Sequence, residues 1–437
     1  MSKEEKGQGS IPVSKVKRAA KIIGTSAKVG GNYVKYFAKK SVNKGTTKDE
    51  LHSSNAADIY DSLSELKGSA LKVAQMMSMD NQMLPSAYQE KFSLSQYSAP
   101  ALSFPLISKT FIKQLGAKPH ELFDEFTKDA VNAASIGQVH KAKKDGKELA
   151  VKIQYPGVAD AISSDLKMVK PLAKKLLNMK SADMEMYMEE VESKMIEETD
   201  YELELKRSVF ISEKCGFIDN IVFPKYYKDL SASRVLTMDW LEGQKFPDFI
   251  KTNPSQEIRD SIGQCMWDFF LYQMKELRMV HADPHPGNFL VNEANQLAVL
   301  DFGCVKEIPQ DFFDNYFQLL RPDILQNEEE LNAIYTNMHF FRPEDTPKQR
   351  MKLRELLQSS INLLAKPFHD ESFDFGDDDF FKQIYGMGED LSKDKEMRKM
   401  NNARGSRDAI YIMRTFFGLY SLLNQLQAKV EINYKPF

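Results

Sequence analysis

The stretch that most constrains this chain runs from Val280 to Gly303, where VHADPHPGNFLV is followed, after a short interval, by LDFG. It sets Asp283 and Asn288 five residues apart and brings in Asp301 downstream. Between them, FLVNEANQLAVLDF places apolar-polar alternation on either side of Glu293-Ala294-Asn295, the pattern of two short strands joined by a turn. Such a hairpin returns Asp301 to the side of Asn288. A triphosphate cleaved near neutral pH presents crowded oxygens that hard cations and fixed donors must neutralise. Carboxylate and amide oxygens are the ligands magnesium prefers. A D-F-G tripeptide alone is only a loop aspartate beside a turn glycine; the compound spacing carries the meaning.

Protein kinases use an H-R-D-x-x-x-x-N loop ahead of D-F-G, in which the first Asp handles the substrate proton while Asn and the second Asp hold magnesium. In that frame Asp283 is catalytic and Asn288 and Asp301 are metal ligands. The frame also demands an upstream phosphate-covering loop and a strand lysine. Residues 132 to 139, NAASIGQV, overlay G-x-G-x-x-G-x-V, with Asn132 and Ala134 where the first two glycines would stand and with Gly137 and Val139 retained. Ala133, Ala134, Ser135, Gly137 and Val139 are therefore expected to line ATP. HKAKKDGKELAVKIQ follows as two alternating strands joined at Asp145-Gly146. Lys152 then takes the V-A-I-K position, with apolar neighbours that argue against a fully exposed side chain.

Five stretches resemble the UbiB/AarF, or ABC1, family of atypical kinases more than ordinary protein kinases. They are NAASIGQVHKA; AVKIQYPGV; HADPHPGN, with Ala282 in place of arginine and a Pro-His-Pro insert; Glu198-Thr199-Asp200-Tyr201 with Glu204, matching E-x-D-Y-x-x-E; and Lys72-Val73-Ala74-Gln75, where the family has K-x-G-Q. The resemblance spans roughly residues 60 to 310. It implies an α+β, bilobal, protein-kinase-like fold, with an N-terminal helical extension covering the active site and a mostly helical C-lobe. It implies that Glu204 pairs with Lys152, and that Glu198 and Asp200 join Lys72 and Gln75 in a lid over the nucleotide. Ala74 departs from the family glycine, and its methyl would hold that lid slightly further away. The other acids of MEMYMEEVESKMIEETDYELELKR, including Glu189, Glu190, Glu192, Glu197 and Glu202, read as the solvated face of one helix. After Lys152, ISSDLKMVKPLAKKLLNM reads as an extra amphipathic helix. The strand in SASRVLTMDWLEGQKF would present backbone groups of Asp239 and Leu241 to adenine, with Trp240 in the core.

The chain divides into a basic arm (1–48), a helical extension (49–120), a small lobe (121–240) and a large helical lobe (241–437). SIGQCMWDFFLYQMKELRMV reads as a buried helix feeding the catalytic loop, and AIYIMRTFFGLYSLLNQLQ as a final packed helix. Cys215, Cys265 and Cys304 are odd in number and widely spaced, which argues against a disulfide framework or a structural zinc and for reducing surroundings. Cys304 reads as a small buried filler. The net charge of −3 hides an asymmetry: residues 1 to 48 hold twelve Lys/Arg against two acidic residues. Val16, Ala20, Ile23 and Ala27 recur there at helical spacing, which suits an interfacial helix on anionic lipid. A solvated basic tail is the alternative, and nucleic acid ranks lower because no stacking aromatics or reader module accompany the charge. No long apolar run predicts a transmembrane helix, and Glu4 and Glu5 do not suit a secretory leader. The expectation is a cytoplasmic protein, peripheral on the inner face of a membrane.

Gly303 is followed by CVKEIP and then at once by the helical pattern QDFFDNYFQLL, leaving no room for the peptide platform that ends in A-P-E. The resemblance points the same way, to a magnesium- and ATP-dependent kinase or ATPase supporting isoprenoid quinone or lipid metabolism. A lipid or quinone precursor would be the substrate. Two other readings stay open: a nucleotide-binding pseudokinase scaffold without turnover, and a protein kinase acting in trans.

Overall fold

The computed structural model describes residues 15–42, 48–66, 91, 102–133, 136–177, 181–384 and 404–437. The chain forms two compact units. One comprises residues 1–206 and 225–240, the other 207–224 and 241–437.

In the first unit, α1 (Lys15–Val42) and α2 (Lys48–Leu66) pack as a pair. Val29 and Tyr36 of α1 are buried, as are Ile59 and Leu63 of α2, and polar bonds lock the register. Thr25 donates to Ser62 at 2.5 Å, and the Asn32 amide donates to Asn55 and Asp58 at 3.0 and 2.8 Å. Next come α3 (Phe104–Leu115), ended by Gly116 at φ 74°, and the short α4 (Pro119–Leu122).

A sheet follows, built from β1 (Glu125–Phe126), β2 (Asn132–Ala133), β3 (Gly137–Lys144) and β4 (Lys147–Gln154). Asp145 at φ 49° and Gly146 at φ 75° form the two-residue turn between β3 and β4, the conformation a right-twisted hairpin favours. Helices α5 (Val158–Leu177), α6 (Ser181–Glu198) and α7 (Tyr201–Cys215) come next. The chain then passes through β5 (Ile221–Val222) in the second unit and returns as β6 (Val235–Asp239), which completes the order β1-β3-β4-β6, with β2 paired to β3.

Two expectations need correction here. The acidic run from residue 184 onward is two helices, because the chain breaks at Thr199-Asp200. Asp200 Oδ1 accepts from the backbone N–H groups of Glu202 and Leu203 at 3.1 and 3.0 Å, capping α7 afresh. Residues 207–224 also belong to the second unit. Ile211, Cys215 and Ile218 are buried in its core, and β5 pairs with a strand of that unit.

The second unit is mostly helical. After β7 (Gln244–Lys245) come α8 (Phe246–Lys251) and α9 (Gln256–Tyr272), the latter burying Ile262, Met266, Trp267, Phe269 and Phe270. Strands β8 (Met279–His281), β9 (Phe289–Val291), β10 (Leu297–Val299) and β11 (Val305–Glu307) carry the Asp283–Asn288 loop and the D-F-G between them. They form two small sheets, β5-β10-β9-β7 and β11-β8. Helices α10 (Gln310–Tyr316), α11 (Glu328–Asn337), α12 (Pro347–Ala365) and α13 (Arg407–Leu426) make up most of the remainder of the unit. Strands β12 (Ser372–Asp374) and β13 (Lys429–Glu431) pair at the end of the chain. No helix among the described residues is long and apolar enough to cross a membrane.

Candidate active site

In the first unit, β3 and β4 put Val139 directly across from Lys152, and β6 puts Leu236 on its other side. The Lys152 ammonium reaches Glu204 on the first turns of α7, with Nζ donating to Oε1 at 2.7 Å and to Oε2 at 3.0 Å. Glu204 is 3% exposed and Lys152 15%. The ammonium also stands 5.1 Å from the ring centroid of Tyr201, a second favourable charge contact. Gln154, two residues past Lys152, donates from Nε2 to the Thr199 carbonyl at 2.9 Å and so ties β4 to the break that starts α7. Gly137 is obligatory at its position. A Cβ there would lie 2.7 Å from the Ile153 carbonyl oxygen and 2.8 Å from the Tyr201 hydroxyl.

Ala133 closes β2 opposite Gln138, while Ala134 and Ser135 lie outside the described residues, as do Lys72, Ala74 and Gln75. Glu198 ends α6, half-buried. Asp200 is exposed, and its Oδ1 caps α7. The backbone N–H of Asp239 donates to the Lys225 carbonyl at 2.9 Å. The Asp239 carboxylate accepts from the Tyr227 hydroxyl at 2.7 Å, and burial together with this carboxylate pushes that hydroxyl up to about 12. Trp240 is only half-buried, its ring beneath the Lys141 ammonium at 4.9 Å. Leu241, also half-buried, opens the second stretch of the second unit. Glu197 is not simply solvated, because Lys194 donates to it at 3.2 Å.

Gln138 and His140 are residues that sequence reasoning missed. On β3 they alternate with Val139 and face inward, fully buried. His140 Nδ1 donates to the Thr127 carbonyl at 2.7 Å, a carbonyl being an acceptor only. Its Nε2 therefore accepts from the Gln138 amide at 2.8 Å, and Gln138 Oε1 takes the Leu102 N–H at 2.6 Å. Burial holds His140 below its ordinary pKa, which keeps this chain of donors in order. The available signal was the alternation itself, with polar residues in phase with Ala142 on the core side.

In the second unit, α9 ends in a π-helical turn, Gln273–Leu277, a wider coil that often marks functional sites. It buries Gln273, whose Oε1 accepts from the His281 N–H at 3.1 Å while its amide donates to the Phe269 carbonyl at 2.9 Å. β8 then pairs with β11, His281 opposite Val305, so the segments leading to Asp283 and away from Asp301 are adjacent. His281 Nε2 donates to the Asp301 carbonyl at 2.7 Å. The hairpin β9–β10 forms as the alternation predicts, turning through Asn295 at φ 57°. It brings the Leu300 N–H to the Asn288 carbonyl at 3.0 Å.

Within the catalytic loop, a 3₁₀ turn over Pro286–Asn288 is closed by the Gly287 N–H donating to His285 Nδ1 at 3.0 Å. The Asn288 amide nitrogen donates to the Asp283 carbonyl at 2.9 Å and to Asp283 Oδ2 at 3.3 Å. That fixes the amide and leaves its oxygen as the atom offered to a cation. Asp301 Oδ1 is steadied by the Gly303 N–H at 2.7 Å. A carboxylate and an amide oxygen, each held by backbone, fit magnesium, which takes one or two protein ligands and completes its shell with water and phosphate oxygens. Among the described residues no three His, Cys, Asp or Glu side chains form a self-sufficient metal cage. Cys304 is half-buried rather than a buried filler, and its carbonyl accepts from the Ala282 N–H at 2.9 Å, extending the β8–β11 ladder.

A small sheet with a lysine paired to a helical glutamate, and a helical unit with an Asp-x4-Asn loop beside D-F-G, define a protein-kinase-like α+β protein. Residues 94–335, more than half of the chain, match the model of the ABC1 atypical kinase-like domain, and the chain belongs to that UbiB/AarF-type family. It is 27% identical over 381 residues to a probable serine/threonine-protein kinase, abkA, of Dictyostelium discoideum, covering 82% of this chain and 66% of that one. It is 29% identical over 395 residues to the mitochondrial atypical kinase COQ8 of Saccharomyces cerevisiae, covering 86% and 76%. This chain thus spans only part of the length of these relatives. The solved complex of Rv3197 with erythromycin from Mycobacterium tuberculosis is similar in fold, with TM-score 0.59, 26% identity and 89% and 96% coverage.

Proposed function

We propose that this protein is a magnesium- and ATP-dependent atypical kinase or ATPase that works at a membrane surface in support of isoprenoid quinone or lipid metabolism. The observation that carries the reading is the Lys152–Glu204 pair. A lysine held at 2.7 and 3.0 Å by a nearly fully buried carboxylate is preset as a fixed positive charge, which a phosphate-gripping group requires. In this reading Lys152 grips the α- and β-phosphates and Glu204 holds Lys152 in place. Asn288 and Asp301 bind magnesium, which when present would neutralise phosphate charge. Asp283, whose Oδ2 is tethered by the Asn288 amide, orients the attacking hydroxyl or water.

Only Cys304 to Pro309 separate Gly303 from α10, too short a stretch for a peptide platform, which favours water or a small or lipid acceptor over a protein in trans. The membrane part rests on α1, which carries no acidic residue and leaves Val34 and Phe37 69% and 63% exposed. Ala20 and Ala27, from the stripe picked out by periodicity, are exposed as well. The quinone or lipid role is supported by kinship with COQ8 and its relatives.

The test is phosphate release from Mg-ATP by purified protein, with and without anionic liposomes, beside an Asp301→Asn control. Turnover that depends on Asp301 and rises with lipid is the expected result. Tight nucleotide binding with no release in either condition would replace this reading with that of a scaffold.

A further inference from the structure

Gly418 lies midway along α13, where the neighbouring Phe416, Leu419 and Tyr420 are buried in the core of the second unit. Nothing in the helix itself requires a glycine, and a glycine inside a helix is unfavourable relative to alanine. The reason is tertiary. A Cβ at 418 would overlap Pro284 Cγ outright and stand 3.1 Å from Pro284 Cβ and 3.3 Å from the Pro284 carbonyl oxygen. Pro284 is buried and directly follows Asp283, and it opens the Pro-His-Pro insert that precedes Asn288. The missing side chain lets α13 lie flat on the loop that carries both residues.

The same helix reaches the other flank of the loop by a second route. Asp408, in its first turn, accepts from Lys306 Nζ at 2.5 Å, and that ammonium lies 5.4 Å from the Tyr411 ring centroid. Lys306 sits on β11, three residues beyond the D-F-G, opposite Val280 on β8. One rigid helix thus bears on Pro284 next to Asp283 and on the strand that follows Asp301.

We propose that α13 sets the spacing of the magnesium loops, with Gly418 as a positioning residue seated on Pro284 and the Asp408–Lys306 pair as its counterpart on the far side. This rests on the reading of Asn288 and Asp301 as magnesium ligands. Octahedral magnesium tolerates little displacement of its ligands, so a shift of the loop raises the magnesium requirement before it affects metal-free nucleotide binding.

The experiment measures binding of a fluorescent, non-hydrolysable ATP analogue against Mg²⁺ concentration for wild type, Gly418→Ala, Pro284→Ala and the double variant, with a melting curve for each. Gly418→Ala is expected to raise the half-saturating Mg²⁺ about tenfold, from the overpacking a methyl causes in a full site, while binding in EDTA is unchanged. Removing the proline ring relieves the overlap, so the double variant should return to within about threefold of Pro284→Ala alone, a non-additivity that general destabilisation does not produce. A Gly418→Ala curve identical to wild type, or an equal loss in EDTA without rescue, overturns the inference alone. Absence of any magnesium-dependent binding in the wild type overturns the metal-site reading and this inference with it. Should Gly418→Ala fail to fold, Asp408→Asn removes the second contact without added bulk. A several-fold rise in the Mg²⁺ requirement is then expected, and no rise refutes the proposal.

Discussion

Replacing Lys152 with methionine keeps most of the side-chain volume and removes the charge, leaving the Glu204 carboxylate, 3% exposed, without its ammonium. Breaking a buried ion pair from one side typically costs about 3–5 kcal/mol, because the surviving charge stays buried without the opposite charge that offset its desolvation. Lys152 is itself 15% exposed, so some solvent can reach the site and the lower figure applies, about 3 kcal/mol. Loss of the contact with the Tyr201 ring adds a fraction of that. For a unit of about two hundred residues, 1 kcal/mol shifts the melting temperature by roughly 2–4 °C, so Lys152→Met should lower it by about 6–12 °C. The companion variant, Lys152→Met with Glu204→Met, buries no lone charge and should recover most of the loss, since well-packed apolar replacements of ion pairs are often neutral. Nucleotide binding should be absent from both variants. Differential scanning fluorimetry of nucleotide-free protein with and without Mg-ATP reads both quantities. If the single variant melts with wild type, or the double variant is as unstable as the single, the pair is not the desolvated contact described here. If the stabilised double variant still binds nucleotide, Lys152 does not grip phosphate.

Gly137→Ala should weaken nucleotide binding at least about tenfold in a titration, because its methyl meets the fixed Ile153 carbonyl and the hydroxyl of Tyr201, whose ring lies against the Lys152 ammonium; binding within twofold of wild type would refute it. Burial, with Asp219 and Glu431 nearby, pushes the Asp268 carboxyl up to about 6, so the folded state holds that proton more tightly than the unfolded chain. Stability from this group therefore grows as pH falls from 6 toward the ordinary 3.8 and is absent above 6. Asp268→Asn should accordingly stabilise by about 1 kcal/mol at pH 7.5, a figure discounted for partial solvation, with the gain shrinking toward pH 5 in parallel melts. Val34→Glu with Phe37→Glu should abolish co-sedimentation with anionic liposomes while leaving the melting temperature within about 2 °C, since both side chains are exposed; unchanged sedimentation would remove α1 from any membrane role.

What could be read from the sequence was whatever chemistry lies close along the chain. The β3–β4 turn at Asp145-Gly146, the β9–β10 hairpin and the Asp283-to-Asn288 spacing are local patterns, and the structure places each as its spacing requires. The break between α6 and α7 was hidden because an unbroken acidic run has helical composition throughout. It takes one Asp200 oxygen, choosing the N–H groups of Glu202 and Leu203 over solvent, to start a new helix there. That restart gives Glu204 a helix of its own, separate from the one that ends at Glu198. Other features were invisible because their cause is distant. Gln138 and His140 look like the wet face of a strand until Leu102 and Thr127 arrive to satisfy them. Gly418 looks like a weak point in a helix until Pro284 is placed against it. In both cases a residue unfavourable for its own element is retained where a second segment closes on it. Local misfits of this kind in the chain are therefore the places to look for contacts that serve the site.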